Sequence, residues 1–451
     1  MKGKERVRNS DLLSVIRARE ARIAVIGLGY VGLPLAVEAA RVGFTVVGIE
    51  RNPESVDRVN SGESYIPDVP GPQLAEVVRE GRLRATQGFD AIAGVNVIII
   101  CVPTPLDKNR NPDTSYIKDV IDCSLPHLNR GQLMVLESTT YPGTTEEIIL
   151  PHLEARGFTV GEDFHLAFSP ERIDPGNKHY GLKDIPKVVG GVTPRCTEAA
   201  KTLYETILEN SVFTVSSPRV AEMTKLLENT FRVVNVSLVN ELAVLCDRMG
   251  IDIWEVIEAA KTKPFGFMPF YPGPGMGGHC IPVDPFYLVW KAKEYGFATR
   301  FIELAGEIND NMPEYTVNRA AEVLNGSKKA LNGSHVLLLG VAYKRDVGDL
   351  RESPALKVAH LLLRRGALLS YHDPYVSKAV IDGKEFRSVP LTVEALRGSD
   401  LALITTDHSS VDYRLIVEHA PLIYDTRNAL ANHQGRHIHR LGAMLSQNRQ
   451  V

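Results

Sequence analysis

Two observations point to an α/β fold class for this 451-residue chain: two doubly wound parallel-sheet domains joined by a long central helical region. First, continuous apolar runs of strand length alternate with helical patterns, once from residue 22 and again from residue 335. Such runs read as strands buried on both faces of a parallel sheet. Second, residues 219–263 contain no proline, and Val220, Met223, Leu226, Leu227, Phe231, Val234, Leu238, Leu242 and Leu245 recur at helical spacing. That stretch predicts one long helix or two abutting helices between the α/β regions.

The elements follow in order. Residues 11–20 read as a short charged helix, part of an extension over residues 1–20. Strands are expected at the run from Arg22 and at Thr45–Ile49, Val95–Cys101, Leu133–Glu137, His165–Phe168 and Lys187–Gly190. They make a first domain over 21–215. The helical region, 216–325, suits a connector and a dimer surface. The second α/β domain, 326–451, has strand-like runs at His335–Ala342, Leu368–Tyr371, Leu401–Thr405 and Pro421–Tyr424.

Composition narrows the function classes. With 44% hydrophobic and 23% charged residues the chain is of globular type, and a net charge of −3 with no long basic run gives nucleic-acid or anionic-membrane binding no electrostatic support. Five cysteines without a CxxC pair predict neither a disulfide framework nor a metal site. No apolar run approaches the roughly 18–20 residues that span a bilayer, and residues 1–20 lack a signal-peptide core. A cytoplasmic protein is the expectation.

Three loops carry candidate chemistry. Gly27-Leu-Gly29-Tyr-Val-Gly32 follows a strand and opens a helix, and Glu50 ends the next strand 18 residues after Gly32. That context is a dinucleotide-binding fingerprint, so the fold is expected to be Rossmann-like. The glycines give a tight turn, room for a pyrophosphate and close helix–strand packing, while the helix N-terminus attracts phosphate. Glu50 can accept from ribose hydroxyls and would repel a 2′-phosphate, which favours NAD, although Arg51 could face such a phosphate. Thr104, Ser138 and Thr139 stand in loops after strand ends, where cofactor or water would sit. The third loop, Pro272-Gly-Pro-Gly275-Met-Gly-Gly-His-Cys280, sets a cysteine after a glycine-rich run and four residues before Asp284. Cys280 is a candidate nucleophile and Asp284 its orienter or water partner. Lys225 and Asn229, four apart, share a helix face.

Taken together, over about residues 22–430, these loops and the long helix resemble the UDP-sugar 6-dehydrogenases. The resemblance implies NAD-dependent four-electron oxidation of a sugar C6 hydroxymethyl to a carboxylate, through a thiohemiacetal and a thioester on Cys280. It implies that Lys225 stabilises oxyanion charge and that Asn229 contacts sugar or water. Asp284 would partner a proton or water. Glu171, in Phe168-Ser-Pro-Glu-Arg, would act as base for the hydrolytic water, positioned with Thr139. The resemblance further implies that Lys344 and Arg427 contact the UDP-sugar, that Arg351 reaches the cofactor, and that Tyr271 and Gly275 line the sugar site. Cations at these positions suit a pyrophosphate.

Two departures bear on the sugar. Val283 stands where the glucose-type members carry lysine, and residues 261–270 contain no arginine. Lys263-Pro-Phe-Gly-Phe267 with His279-Cys-Ile-Pro-Val-Asp284 resembles the UDP-N-acetylhexosamine branch, with UDP-GlcNAc the first choice and UDP-ManNAc, UDP-GalNAc or UDP-glucose as alternatives. Two other readings remain: a two-electron dehydrogenase of a small β-hydroxy acid, and a nucleotide-sugar sensor without catalysis. A homodimer or higher homo-oligomer is expected.

Overall fold

The computed structural model describes residues 9–174, 180–278 and 283–443. It divides into two compact units, Met1–Glu228 with Phe286–Phe297, and Asn229–Pro285 with Ala298–Val451.

The first unit is built on eight strands: β1 (Arg22–Ile26), β2 (Thr45–Ile49), β3 (Leu83–Thr86), β4 (Val97–Ile100), β5 (Leu133–Leu136), β6 (His165–Phe168), β7 (Lys187–Gly191) and β8 (Val212–Thr214). Their order is β3-β2-β1-β4-β5-β6-β7-β8, parallel throughout except for the antiparallel β6–β7 pair. Chain order reverses beside β1, which puts the ends of β1 and β4 at a topological switch point, where open α/β sheets bind ligands. Ile23, Val25, Val97, Ile99, Leu133 and Val135 pack one face against Leu33, Ala36 and Ala40 of the helix Gly32–Arg41. The N-terminal helix, Asn9–Arg17, seals Leu12 and Ile16 onto the helix Pro194–Leu208.

The second unit holds a five-stranded, all-parallel sheet of order β10-β9-β13-β14-β15: β9 (His335–Leu339), β10 (Leu368–His372), β13 (Leu401–Ile404), β14 (Ile423–Asp425) and β15 (Ile438–Arg440). A separate hairpin, β11 (Lys378–Ile381) with β12 (Lys384–Arg387), turns at Asp382-Gly383, a dipeptide suited to two-residue hairpin loops.

The long helix runs over Pro218–Met249 and stops there. A new helix, Ile253–Lys261, begins where the Asp252 carboxylate accepts from Trp254 N–H as an N-cap. The predicted helical stretch is thus two abutting helices. Four strands escaped the sequence reading (β3, β8 and both strands of the hairpin), as did β15. Among the described residues no helix is long and apolar enough to cross a membrane.

Candidate functional site

In the first unit the glycine turn after β1 is shaped for a dinucleotide. Gly27 has φ +88°, and a Cβ there would come within 2.6 Å of the Cys101 carbonyl oxygen. At Gly32 a Cβ would lie 1.9 Å from the Gly27 oxygen, so this glycine lets helix and strand approach. Gly29 instead faces open space, with nothing within 4 Å of the position its Cβ would take. The helix behind it starts without a side-chain cap. Open volume at the second glycine, before a helix start, is what a pyrophosphate requires. Glu50 is held in the turn by Leu28 N–H (2.9 Å) and Asn52 N–H (3.0 Å). Its oxygens keep lone pairs for ribose hydroxyls. Exposed Arg51 lies 3.4 Å from Asp119. The residues present fit NAD.

The neighbouring strand ends are tied together. The Thr104 hydroxyl donates to the Thr139 carbonyl at 2.6 Å, and the Ser138 hydroxyl to the Val102 carbonyl at 2.8 Å. Beyond them lies a buried ionic cluster that the sequence did not disclose. The Lys187 ammonium, at the start of β7, donates to Glu137 after β5 (3.0 Å) and to Glu171 after β6 (2.8 Å), and Tyr204 O–H donates to Glu137. Burial works to lower the Lys187 pKa, but Glu137 and then Glu171 outweigh it and hold it above its ordinary value. Burial raises the Glu137 carboxyl despite Lys187. For Glu171 burial is overcome by Lys187 and by the Ile173 N–H, so its carboxyl sits below the usual range. Glu171 Oε1 also accepts from Arg172 N–H, at 2.6 Å. Arg172 itself pairs with Glu228, not with Glu171. Buried Lys225 donates to the Glu171 carbonyl oxygen at 2.5 Å. A further buried acid, Glu222, stands three residues before Lys225 and accepts three hydrogen bonds from residues 143–145. Its only signal in sequence was a charge on the inward side of a helix.

In the second unit Asn229 donates to the buried Asp284 carboxylate, so two predicted site residues meet. Cys280 lies outside the described residues, as do His279, Ile281 and Pro282. The glycine-rich run leading to it packs on the loop after β9. Gly277 lies against Glu352 O and Tyr343 Cβ, with 2.7 Å left for a Cβ in each direction, and Gly278, at φ +93°, faces the Tyr343 ring. Gly278 N–H donates to the Arg351 carbonyl (3.1 Å), Met276 N–H to Asn309 (2.5 Å) and Gly273 N–H to Asn240 (2.9 Å). Arg427 lies beside Gly273, and Gly275 beside Pro354 and Asn309. Lys344 is half-buried on the same loop. The loop is anchored in turn by Asp373, whose Oδ2 accepts from Val341 N–H, Ala342 N–H and His408 Nε2–H, while His408 Nδ1 accepts from Asp346 N–H at 3.0 Å.

Two predicted ligand contacts have other partners here. The Arg351 guanidinium forks onto Asp349, with bonds of 2.6–3.1 Å. Tyr271 is exposed, stacks on Trp254 and donates to Glu258 at 2.7 Å.

Comparison with known proteins reaches the same regions. Residues 21–208 match the model of the NAD binding domain of the UDP-glucose/GDP-mannose dehydrogenase family. Residues 219–311 match the model of its central domain, and 337–432 that of its UDP binding domain. A UDP-N-acetyl-D-mannosamine dehydrogenase of Pyrococcus horikoshii is 36% identical over 418 residues, 91% of this chain and 96% of that protein. A UDP-N-acetyl-D-glucosamine 6-dehydrogenase of Pseudomonas aeruginosa is 38% identical over 360 residues, 80% and 84% of the two chains. The solved structure of a UDP-D-ManNAc dehydrogenase from Pyrococcus horikoshii superposes with a TM-score of 0.85 at 35% identity, covering 93% of this chain and 99% of that one.

Proposed function

Because this chain belongs to the UDP-glucose/GDP-mannose dehydrogenase family, and is therefore an NAD-dependent nucleotide-sugar dehydrogenase, we propose that it oxidises the C6 hydroxymethyl of a UDP-N-acetylhexosamine to the carboxylate. The observation that carries this reading is the packing of the glycine-rich run before Cys280 onto the loop that holds Lys344, with Arg427 at its edge. A nucleophile tethered to a pyrophosphate-binding loop reaches the far end of one nucleotide-sugar and retains it between two oxidations. Residues 21–215 serve NAD and 326–451 serve UDP.

Bound NAD supplies the hydride acceptor for both oxidations. After the first, the Cys280 sulfur adds to the C6 aldehyde carbon and the carbonyl oxygen takes up a proton, giving a thiohemiacetal. Loss of the remaining C6 hydride and the hydroxyl proton leaves a thioester. Water adds at that carbon, the C–S bond breaks, and the thiol and a carboxylate are released. Lys225 balances the oxyanion charge in these additions. Asn229 holds Asp284 beside the nucleophile's loop, and Thr139 orders the water. Glu171 is ionised by its Lys187 pair and is the candidate acceptor of the water proton.

Val283 and the absence of arginine from 261–270 support the N-acetyl sugars over glucose, with UDP-GlcNAc as the substrate. UDP-ManNAc is the second reading, because the UDP-N-acetyl-D-mannosamine dehydrogenase of Pyrococcus horikoshii aligns over more of the chain. NADH formation against UDP-glucose, UDP-GlcNAc, UDP-GalNAc and UDP-ManNAc decides between them. Two NADH per sugar are expected, and Cys280→Ser loses turnover while still binding NAD. One NADH per sugar with an aldehyde product sinks the proposal. The long helix leaves Phe231, Leu238, Leu242, Leu245 and Met249 exposed along one stripe, which supports a homodimer. A monomeric mass by light scattering refutes that part.

A further inference from the structure

Glu222 occupies the first turns of the long helix and is fully buried. A buried carboxylate is costly unless donors surround it. Here the donors come from the end of the loop after β5 and the first residue of the helical segment Thr145–Ile149 that follows it. Gly143 N–H donates to Oε2, while Thr145 N–H (2.9 Å) and Thr145 Oγ1–H (2.7 Å) donate to Oε1. That loop begins at Glu137, in the buried cluster, and carries Thr139, whose carbonyl accepts the Thr104 hydroxyl. Thr140 and Thr144 bond to each other through their hydroxyls, and Thr144 donates to the Tyr141 carbonyl at 2.8 Å. The segment 138–145 is therefore fastened at its start to the strand-end loop after β4, in its middle to itself, and at its end to Glu222.

One turn further along the helix, Lys225 makes the complementary contact by donating to the carbonyl of Glu171 after β6. Two charges of opposite sign, three residues apart on one helix face, thus grip the loops after two adjacent strands. The carboxylate collects N–H and O–H groups from the loop after β5, and the ammonium meets a carbonyl from the loop after β6. None of Glu222's three bonds is to a group proposed to touch substrate or cofactor.

We propose that Glu222 is a positioning residue for the oxidation: through Gly143 and Thr145 it sets the loop that carries Thr139, and on the same helical turn it registers that loop against Lys225. The inference rests on the proposed activity of this site.

The surroundings make this clamp sensitive to its own charge. Burial, and then Glu146, push the Glu222 carboxyl up to about 7 against the pull of its N–H donors. Among the described residues, the charged groups at this end include Glu147, on the segment after the loop, Arg219, on the long helix, and Lys291 with its partner Glu294, in Phe286–Phe297. Arg219 pairs with Glu146 and reaches Glu147 (3.5 Å), and Lys291 pairs with Glu147 (2.8 Å). Protonation of Glu222 places a hydrogen on an oxygen that already faces a donor, so one clamp bond is lost.

The test compares wild type, Glu222→Gln and Glu222→Asp. In Glu222→Gln the introduced amide sets an N–H₂ against the loop's donors at nearly unchanged volume. Its kcat should fall about tenfold, the value of one mismatched hydrogen bond, with both KM values within about twofold. The wild-type limb of kcat between about pH 6 and 8 should flatten. Glu222→Asp keeps the charge and should recover part of kcat and the limb. Hydrogen exchange at the Gly143 and Thr145 amides should quicken in Glu222→Gln. If that variant does not fold, Thr145→Val removes one donor from the other side and should show the same kcat-selective loss. A lowered Tm with kcat per folded enzyme and the pH limb unchanged overturns the inference, as does unchanged exchange at both amides. If wild type forms no NADH with any UDP-sugar, it is the proposed function that fails, and the clamp then stands or falls on amide exchange alone.

Discussion

Replacing Lys187 with methionine tests the buried ionic cluster. Methionine keeps most of the apolar stem, so little cavity opens, and what is removed is the charge. The Lys187, Glu137 and Glu171 side chains are 4%, 0% and 9% exposed respectively, and the two ion pairs span 3.0 and 2.8 Å. Removing one partner of such a pair leaves a buried charge uncompensated, at a cost of about 3–5 kcal/mol. Here two carboxylates lose the same cation. The cost should depend on pH with a definite sign. In wild type, Glu171 is depressed, so its contribution is present above its unfolded value of about 4.5 and is lost as pH falls. Without Lys187, burial dominates both acids and raises them, so their contribution is full at low pH and is lost as pH rises. The stability deficit should therefore be small near pH 5 and reach about 3–5 kcal/mol near pH 8. Urea unfolding followed by circular dichroism measures it. The relevant transition is the one that NAD moves upward, because a ligand stabilises only the unit that binds it. A deficit under about 1 kcal/mol near pH 8, or one equal at both pH values, would refute the reasoning.

Other perturbations separate fold from ligand. Gly29→Ala should leave Tm unchanged yet raise the KM for NAD about tenfold, since its Cβ enters space that only the cofactor needs. Gly32→Ala should lower stability by about 1–3 kcal/mol or more, because its Cβ meets backbone at 1.9 Å; thermal unfolding distinguishes the two. His408→Ala removes the donor to Asp373 and the acceptor for Asp346 N–H, so UDP binding by calorimetry should weaken while NAD binding holds. His165 is buried, and burial followed by Arg195 pushes its imidazole down to about 4. Its contribution is present above its unfolded pKa of about 6.5 and is lost toward pH 4. Wild type should lose about 3 kcal/mol over that window, and His165→Gln should flatten the slope.

What the sequence disclosed follows from distance along the chain. The turn from Gly27 to Glu50 is local, with glycines, a strand and a helix in fixed succession, so its residues could be named and their roles argued. Lys187 could not, because it lies 16 residues from Glu171 and 50 from Glu137, and only the pairing of β5, β6 and β7 unites them. A lysine opening a strand reads as solvated until that topology is known. Glu222 escaped for a related reason: periodicity marks a helix's apolar face, not a carboxylate turned inward. β3, Leu-Arg-Ala-Thr, is too short and too mixed in character to stand out. One long helix and two abutting ones were both open because no proline marks the break, whereas the Asp252 cap does. The sugar-side loops were recognisable by likeness, but which glycine touches which side chain was not.

The fit between Gly277, Gly278 and Tyr343 has a bearing on engineering. The run before Cys280 and the loop after β9 are moulded on each other, with Glu352, Pro354 and Asn309 completing the seat. Transplanting residues 263–285 from a relative of different sugar preference would import one half of a matched pair. A chimera that also carries the donor's residues 340–354 and its counterpart of Arg427 should fold and turn over where the single-segment graft fails. The two segments are thus one packed unit made from distant pieces of sequence, to be exchanged together.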